Sequence, residues 1–315
     1  MRPHFHMLLH LAVLLLVFTV FTVAARAQDF VGSVRESLDS GSLAGAEAKL
    51  QQYRTARGIT SEYLEAFSWL GRNALARGDY SAATANSEAT YKLCQEQIKS
   101  HSVDRDPRLG TAVGAAIEVH GLTLAKLGKK AEAQRYLKQE LAKYGDTTIA
   151  MRIQKNLNVI TLQGSVAPEL KLEPHLGPKP VPLASLKGKP VVLFLWSHWC
   201  VDCKAQGPVL ARLKKEFPDT VHVVGPTRLY GYAAEGEPTT PDEELKYIDR
   251  VRSKYYAILG DMPVPVSTEN FQRYGASTSP TMVIVAPDGK VALYHPGRMT
   301  YEELKAELLP LIARQ

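Results

Sequence analysis

Trp199-Cys200-Val201-Asp202-Cys203 is the most informative stretch of this chain, because it lies where an apolar strand gives way to a helix. The run Val191-Val192-Leu193-Phe194-Leu195-Trp196 predicts a buried strand, and Lys204–Phe217 predicts a helix. Cys200 then falls at the helix N-terminus, where free N–H groups and the helix dipole stabilise a thiolate. The two-residue spacer brings Cys203 onto the same helical turn, close enough to form a disulfide. The pattern indicates thiol–disulfide chemistry.

Two other roles for this cysteine pair are less favoured. A Cys-x-x-Cys pair can be half of a zinc site, but such a site needs four ligands. The third cysteine, Cys94, is far away, and no second Cys/His pair has ligand spacing. A purely structural disulfide across so short a loop would stabilise the fold little. We therefore expect no metal, and no cofactor other than a redox-active disulfide between Cys200 and Cys203.

Residues 1–27 have the pattern of a secretory signal peptide. Arg2 precedes an apolar run from Leu8 to Val23, and Ala25-Arg26-Ala27 gives the small-x-small pattern of a cleavage site. If the segment is not cleaved, it would act as an N-terminal membrane anchor. In either case we expect the rest of the chain to be exported, in the periplasm or otherwise outside the cytoplasm, where disulfides persist.

The composition excludes two other classes of protein. The net charge is +6 and falls to +4 if residues 1–27, with Arg2 and Arg26, are removed. This excess is spread along the chain and forms no basic stripe, so we expect no nucleic-acid partner. Three cysteines are too few for a disulfide-stapled scaffold. Cys94 lies in the helical pattern Glu88–Ile98 and is predicted to be a small core residue, with a reactive free thiol as the alternative.

Residues 28–163 are predicted to form an all-helical domain with internal repeats. Three glycines each precede an alanine by five residues: Gly41 and Ala46, Gly78 and Ala83, Gly128 and Ala133. The glycine would turn the chain, and the alanine would let two helices pack closely. The pattern resembles the tetratricopeptide repeat, although its spacings of 37 and 50 residues exceed the usual period of about 34. A generic bundle of helical hairpins is the alternative. Stacked helical pairs leave a concave face on which a protein ligand could bind.

Residues 164–315 are predicted to form an α/β domain. A Pro- and Gly-rich junction up to Pro190 separates it from the helical repeats. Beyond the junction, strands and helices alternate in the order Val191–Ser197, Cys200–Phe217, Val221–Val224, Asp242–Tyr256, Thr281–Ala286, Lys290–His295 and Tyr301–Ala313. This order predicts a central mixed sheet flanked by helices.

Three segments of this second domain match one family in order. They are Gly164-x-x-Ala167-Pro168-x-Leu170, then Leu186-Lys187-Gly188-Lys189-Pro190 with Trp196-Ser197-His198-Trp199-Cys200, then Tyr274-Gly275-Ala276 with Pro280-Thr281 and Asp288-Gly289. On these motifs the domain resembles the exported thioredoxin-like proteins of the TlpA/ResA (redoxin) family. The resemblance implies a thioredoxin fold and exchange of disulfides with protein thiols and disulfides. It also implies an electron donor or acceptor, which the residues do not identify.

The resemblance also implies catalytic roles. Cys200 would be the attacking thiolate and Cys203 the resolving thiol. Pro280 would follow a cis peptide bond beside the cysteines, whereas an ordinary trans turn proline is the alternative. This arrangement would leave the backbone of Ser279 free to pair with an extended substrate.

Two further residues, Trp199 and Thr281, are expected to help position the substrate together with Ser279. Trp196 would also flank the site. Core packing is the alternative role for both tryptophans.

The sequence departs from the family at three places. Asp202 replaces the usual proline before the second cysteine, Gln206 replaces a frequent glutamate, and Phe194 replaces the buried aspartate of thioredoxin. The nearest titratable groups are then Asp202 and His198, which we expect to modulate the cysteine pKa. A carboxylate at Asp202 would disfavour the thiolate and make the couple more reducing, whereas a protonated His198 would act in the opposite direction. We therefore expect a reductase.

Two rival functions are considered. A thiol peroxidase would need Pro-x-x-x-Thr-x-x-Cys, but Leu193 and Ser197 occupy the proline and threonine positions before Cys200. In the second rival function, the chain is a binding module: the helical repeats recruit a protein partner, and the redox site is secondary.

Overall fold

The structure, a computed structural model, describes residues 29–313. The predicted signal segment lies outside these residues. Within the described part, seven α-helices precede the sheet: α1 (Phe30–Asp39), α2 (Leu43–Arg57), α3 (Ser61–Ala76), α4 (Tyr80–Ile98), α5 (Pro107–Lys126), α6 (Lys130–Tyr144) and α7 (Ala150–Thr161). Within residues 29–313, every helix is too short or too polar to span a lipid bilayer.

The first six helices form three hairpins, as the glycine spacing predicts. Gly41, Gly78 and Gly128 connect α1 to α2, α3 to α4 and α5 to α6, with φ angles of 81°, 76° and 80°. This left-handed conformation favours glycine because it has no Cβ. The alanines five residues later, Ala46, Ala83 and Ala133, are fully buried. The helical hairpins are therefore confirmed, while their assignment to the tetratricopeptide repeat stays a prediction.

The second domain contains a four-stranded sheet. Its strands are β2 (Val191–Leu195), β3 (His222–Val224), β5 (Thr281–Val285) and β6 (Val291–Pro296), in the spatial order β3-β2-β5-β6. β2 is parallel to β3 and antiparallel to β5, and β5 is antiparallel to β6. The flanking helices are α8 (Val201–Glu216), α9 (Pro241–Tyr255), α10 (Thr268–Tyr274) and α11 (Tyr301–Ile312). This mixed sheet with helices on both sides confirms the predicted thioredoxin fold.

The strand β2 is apolar along its whole length because both of its faces are buried. Val192 and Phe194 belong to one core layer, which also contains Leu210 of α8. Leu193 belongs to the other layer, with Phe271 of α10. The uninterrupted apolar run therefore marks the centre of the domain and fixes the position of the cysteines that follow it.

Two features were not predicted from the sequence. A two-stranded antiparallel sheet joins β1 (His175–Leu176) to β4 (Val264–Pro265). The short helix α10 begins after Ser267, whose side chain accepts a hydrogen bond from the backbone of Glu269, and ends at Gly275. Two-residue strands and a seven-residue helix are too short to produce a clear period in the sequence.

The helix α7 connects the two domains. Its Ile153 packs into the core of the helical domain, whereas Leu162, directly after the helix, packs into the core beneath the sheet. On the other side of the contact, Gly275 has a φ angle of 58°, and a Cβ atom there would lie 2.4 Å from the backbone nitrogen of Lys155. Asn158 Nδ2 also donates a hydrogen bond to the backbone oxygen of Arg273, at 3.1 Å. The helical domain is therefore held directly against the loop that leads to Pro280.

Candidate functional site

Cys200 and Cys203 lie at the start of α8 and are joined by a disulfide. Cys200 is the N-cap residue of the helix, and its Sγ accepts a hydrogen bond from the backbone N–H of Cys203 at 3.0 Å. Cys200 is 4% exposed and Cys203 is fully buried. Because the free N–H groups of a helix stabilise a negative charge at this position, the outer sulfur is the one placed to become a thiolate.

The Ser279–Pro280 peptide bond is cis and lies beside the disulfide, as expected for Pro280. The carbonyl oxygen of Ser279 is 3.3 Å from Cys200 Sγ. The register of the sheet explains the approach, since Leu195 at the end of β2 is paired with Thr281 at the start of β5. The loop before β5 and the loop after β2 therefore meet at one edge of the sheet.

A chain of hydroxyl groups fixes the loop before Pro280. Ser197 Oγ lies 2.8 Å from Ser279 Oγ and 2.5 Å from the hydroxyl of Tyr230. Within residues 29–313, the backbone N–H of Ser279 makes no hydrogen bond. The Ser279 side chain is therefore held, while its backbone donor is left for another group. Sequence reasoning did not assign Ser197 or Tyr230 to this network, because only the folded chain brings residues 197, 230 and 279 together.

The tryptophans and Thr281 occupy different environments. Trp199 is 47% exposed, with its ring 5.8 Å from that of Tyr230, so it presents an aromatic surface next to the disulfide. Trp196 is fully buried, and its Nε1 donates to the Gly225 carbonyl oxygen at 2.9 Å, which is the core-packing role. Thr281 is also fully buried, and its hydroxyl donates to the carbonyl oxygen of Thr278. Any effect of the Thr281 side chain on the substrate must therefore act through the loop before β5, which contains Thr278.

His198 lies beneath the site and is fully buried. Its Nε2 is 3.2 Å from Glu244 Oε1, and the carboxylate of Glu244 also accepts hydrogen bonds from the backbone N–H groups of Tyr230 and Gly231. The Nδ1 atom of His198 is buried without a partner among the described residues. Burial lowers the pKa of His198, and the nearby Glu244 opposes this only in part. The neutral imidazole is therefore favoured, which weakens the expected effect of a protonated His198 on the thiolate.

Asp202 is exposed at the first turn of α8. Its Oδ1 is 3.4 Å from Arg298 Nη1, and both side chains are more than half exposed. The carboxylate directly before Cys203 in the chain thus lies next to a guanidinium of opposite sign. Arg298 was not anticipated, since it lies 96 residues away along the chain.

Gln206 links α8 to the segment after β6. Its Nε2 donates to the carbonyl oxygen of Met299 at 3.1 Å, and its Oε1 accepts from the Met299 N–H at 3.0 Å. Gln206 is fully buried. A neutral amide satisfies both backbone groups at once, whereas an ionised carboxylate could only accept. Gln206, which stands where the family often has glutamate, therefore connects α8 to the segment after β6.

Cys94 lies in the helical domain, away from this site. It is fully buried, and burial raises the pKa of its thiol to about 12. This environment fits the predicted core role, because a thiol with such a pKa is almost entirely protonated at neutral pH. Among residues 29–313 there is no group of three or more His, Cys, Asp and Glu side chains that could hold a metal ion.

Comparison with known proteins places the second half of the chain among thiol–disulfide proteins. Residues 163–228 match the protein family described as AhpC/TSA. The chain is 31% identical over 141 residues to the thiol-disulfide oxidoreductase ResA of Bacillus subtilis, a match that spans 44% of this chain and 69% of ResA.

Two further similarities are weaker. The thiol:disulfide interchange protein DsbE of Xylella fastidiosa is 25% identical over 128 residues, and the match spans 41% of this chain but only 57% of DsbE. A crystal structure of a thioredoxin-like superfamily protein aligns with a TM-score of 0.40 at 23% identity, over 47% of this chain and 97% of that chain.

Proposed function

The chain belongs to the thioredoxin-like family of the thiol-disulfide oxidoreductase ResA, and we propose that it is an exported oxidoreductase that reduces disulfides of protein partners. The single observation that carries this proposal is the position of Cys200. Its sulfur caps α8 and lies 3.3 Å from the Ser279 carbonyl oxygen, beside the exposed ring of Trp199. Cys200 keeps a small exposed fraction, 4%, whereas Cys203 is fully enclosed, so a partner disulfide would approach Cys200.

The proposed reaction has two exchange steps. The Cys200 thiolate attacks one sulfur of the partner disulfide, which forms a mixed disulfide and releases the other partner sulfur as a thiolate. Cys203, as a thiolate, then attacks Cys200, so that the Cys200–Cys203 disulfide forms and the second partner sulfur leaves. The partner gains two electrons and the cysteine pair loses two. A separate electron donor must reduce the pair before the next cycle.

The backbone beside Cys200 supports binding of an extended substrate. The N–H of Ser279 makes no hydrogen bond to residues 29–313 and adjoins the cis peptide bond. An extended segment can pair with such a free backbone group while its disulfide contacts Cys200. Trp199 would cover the apolar part of that segment.

The reducing direction rests on the charges near the cysteines. The carboxylate of Asp202 lies on the first turn of α8 and disfavours a second negative charge on Cys200. Arg298, whose Nη1 is 3.4 Å from Asp202 Oδ1, opposes this effect. Because His198 is buried and its pKa is lowered, it adds no opposing positive charge at neutral pH. The balance favours a moderately reducing couple.

A trapping experiment tests this function. In a Cys94→Ala background, Cys203→Ser should accumulate mixed disulfides with partner proteins from an envelope extract, because resolution of the mixed disulfide is blocked. Cys200→Ser in the same background is the matched control and should trap nothing. Equal recovery of proteins by both variants would contradict the proposal and would favour a scaffold that binds through residues 28–163.

A second assay distinguishes disulfide exchange from peroxide reduction. Peroxide reduction is the rival activity that the AhpC/TSA match raises. The reduced wild-type protein should reduce a protein disulfide and should consume hydrogen peroxide no faster than the Cys200→Ser variant. Rapid peroxide consumption that depends on Cys200 would identify a thiol peroxidase instead.

A further inference from the structure

A cavity of about 560 Å³ lies between the two domains. It is lined by α3, α5 and α7 of the helical domain and by Ser277 and Thr278, which directly precede Ser279. Its volume is within the usual range for ligand pockets, roughly 300–1,000 Å³. The cavity therefore opens next to the loop that contacts Cys200, yet most of its lining comes from the other domain.

The charged residues of this cavity do not balance. Three cationic side chains line it, those of Arg72, Arg152 and Lys155, together with one carboxylate, that of Glu118. Three positive charges and one negative charge leave an excess of two positive charges. A partly enclosed space with such an excess attracts an anion.

Glu118 forms ion pairs with two of the cations. Its Oε2 accepts from Arg152 Nε at 3.1 Å and from Lys155 Nζ at 2.7 Å. Burial alone would raise the pKa of Glu118, but Arg152 and Lys155 outweigh it and lower the pKa to about 2. The carboxylate is therefore ionised and held by these two residues, and it forms no ion pair with the third cation.

Arg72 is the cation of this cavity that has no ion pair within residues 29–313. Its Nε is buried without a hydrogen-bond acceptor among these residues. The guanidinium lies 4.4 Å from the centre of the Trp69 ring, over which Arg35 is also placed at 4.2 Å. Burial lowers the pKa of Arg72 to about 10 and repulsion from Arg152 adds to the effect, while Glu118 and Glu65 oppose it only in part. A half-buried cation whose charge is only partly opposed is stabilised when an anionic group binds beside it.

The walls suit a polypeptide better than a free ion. Leu75, Val119 and the ring of Trp69 supply apolar surface next to the cations. Thr278 connects the cavity to Ser279, whose N–H is free within the described residues. Thr278 is one residue from Ser279, whose carbonyl oxygen lies 3.3 Å from Cys200 Sγ. At about 3.3–3.6 Å per residue, an extended segment of roughly two to four residues would cover this interval.

We propose that this interdomain cavity binds an acidic side chain of the protein substrate, two to four residues from the cysteine that Cys200 attacks. The proposal rests on the proposed exchange function and adds a specificity determinant to it. The helical domain then selects substrates through Arg72 and Lys155, while the thioredoxin domain carries out the exchange.

Direct binding can be measured without any redox step. The probe is a fluorescein-labelled ten-residue peptide with Ser in place of Cys and three Glu residues beside it, and its control has Gln at those three positions. Fluorescence anisotropy with the oxidised full-length protein should show binding of the Glu peptide at least about tenfold tighter than that of the Gln peptide. Arg72→Gln and Lys155→Gln should remove most of this preference.

Arg135→Gln is the matched control, because it removes the same charge from an exposed position outside the cavity. It should keep the preference. If Arg135→Gln weakens binding as much as Arg72→Gln, the preference is only long-range attraction and the proposal is wrong. Equal binding of the Glu and Gln peptides by the wild-type protein would also overturn it, as would stabilisation by inorganic phosphate without peptide binding, which would indicate a small-anion pocket.

A second assay keeps failure of the site distinct from failure of the proposed function. The Cys forms of both peptides are coupled to thionitrobenzoate, whose release by the reduced protein is followed by absorbance. The Glu peptide should react about tenfold faster than the Gln peptide in the wild-type protein, and Arg72→Gln should slow only the Glu peptide. Equal slowing of both peptides would indicate a structural role for Arg72 and overturn the proposal. Tight, Arg72-dependent binding with no release from either peptide would support the site and contradict the exchange function.

Discussion

Cys200 Sγ lies 3.3 Å from the carbonyl oxygen of Ser279, the residue that precedes the cis bond to Pro280. The two residues are 79 positions apart in the chain, and the antiparallel pairing of β2 with β5 brings them together. One side of the reactive sulfur is therefore occupied by a fixed backbone dipole, and the other side adjoins the exposed ring of Trp199.

The first prediction concerns the charge pair next to the cysteines. Asp202→Asn should raise the reduction potential of the Cys200–Cys203 couple, because removal of the carboxylate stabilises the Cys200 thiolate and hence the reduced form. Since Asp202 and Arg298 are both largely exposed, we expect a change of only about 5–20 mV. Equilibration with a glutathione redox buffer measures it.

Arg298→Gln is the counterpart and should lower the potential by a similar amount, because it leaves Asp202 unopposed. Both changes should shrink at high salt. A shift in the same direction for both variants would show that the charge pair does not set the redox poise.

The second prediction concerns Gln206. Gln206→Ala should lower the free energy of unfolding by at least about 2 kcal/mol, because the N–H and carbonyl groups of Met299 lose their partners in a buried position. Urea unfolding measures the loss. Gln272→Ala, on the exposed face of α10, is the control and should change stability by less than about 0.5 kcal/mol. Similar losses in the two variants would contradict the structural role of Gln206.

The third prediction is a dependence of stability on pH through His198. Its pKa in the folded protein is lowered from the ordinary value of 6.5 by burial. Both states are neutral well above pH 6.5, so His198 then makes no pH-dependent contribution. As the pH falls below 6.5, the unfolded chain binds a proton more readily than the folded one, and the folded state loses stability.

His198→Gln should therefore flatten the fall in unfolding free energy between about pH 8 and pH 5, while its amide can still donate to Glu244. His222 also has a lowered pKa because of burial, and it contributes in the same direction. His222→Gln is thus the comparison. An unchanged pH profile in His198→Gln would mean that the pKa of His198 is the same in the folded and unfolded chain, and a steeper fall would mean that folding raises this pKa; either result contradicts the prediction.

The fourth prediction concerns the contact between the domains. Gly275→Ala should lower the free energy of unfolding by about 3 kcal/mol, because the new methyl group would meet the backbone of α7 at Lys155 and Gln154. Gly188→Ala is the matched control, since Gly188 also has a positive φ, of 95°, but open space around its Cβ position. It should lose only about 1–2 kcal/mol.

Limited proteolysis gives an independent readout of the same contact. Gly275→Ala should expose the segment between α7 and β2 to cleavage, whereas Gly188→Ala should not. If the two variants lose the same stability and resist cleavage equally, the close approach at Gly275 does not hold the domains together.

The longer elements, and the chemistry that depends on neighbouring residues, are predictable from the sequence alone. The apolar run ending at Trp196 predicted the central strand, since a strand buried on both faces has no polar positions. Cys200 was expected at a helix N-terminus, and the glycine–alanine spacing predicted the three hairpins, because each of these features depends on residues within one or two turns.

The effect of distant groups on the site depends on tertiary contacts, which the sequence pattern does not show. His198 was expected to influence the cysteine pKa from its neighbouring position, but packing buries it against Glu244 and favours its neutral form. The links from Gln206 to Met299 and from Asp202 to Arg298 join residues more than 90 positions apart. Arg72, Glu118, Arg152 and Lys155 come together only because three helices and the loop before Pro280 line one cavity. Periodicity shows which face of an element is buried, whereas burial depth, charge pairing and cavities depend on what packs against that face.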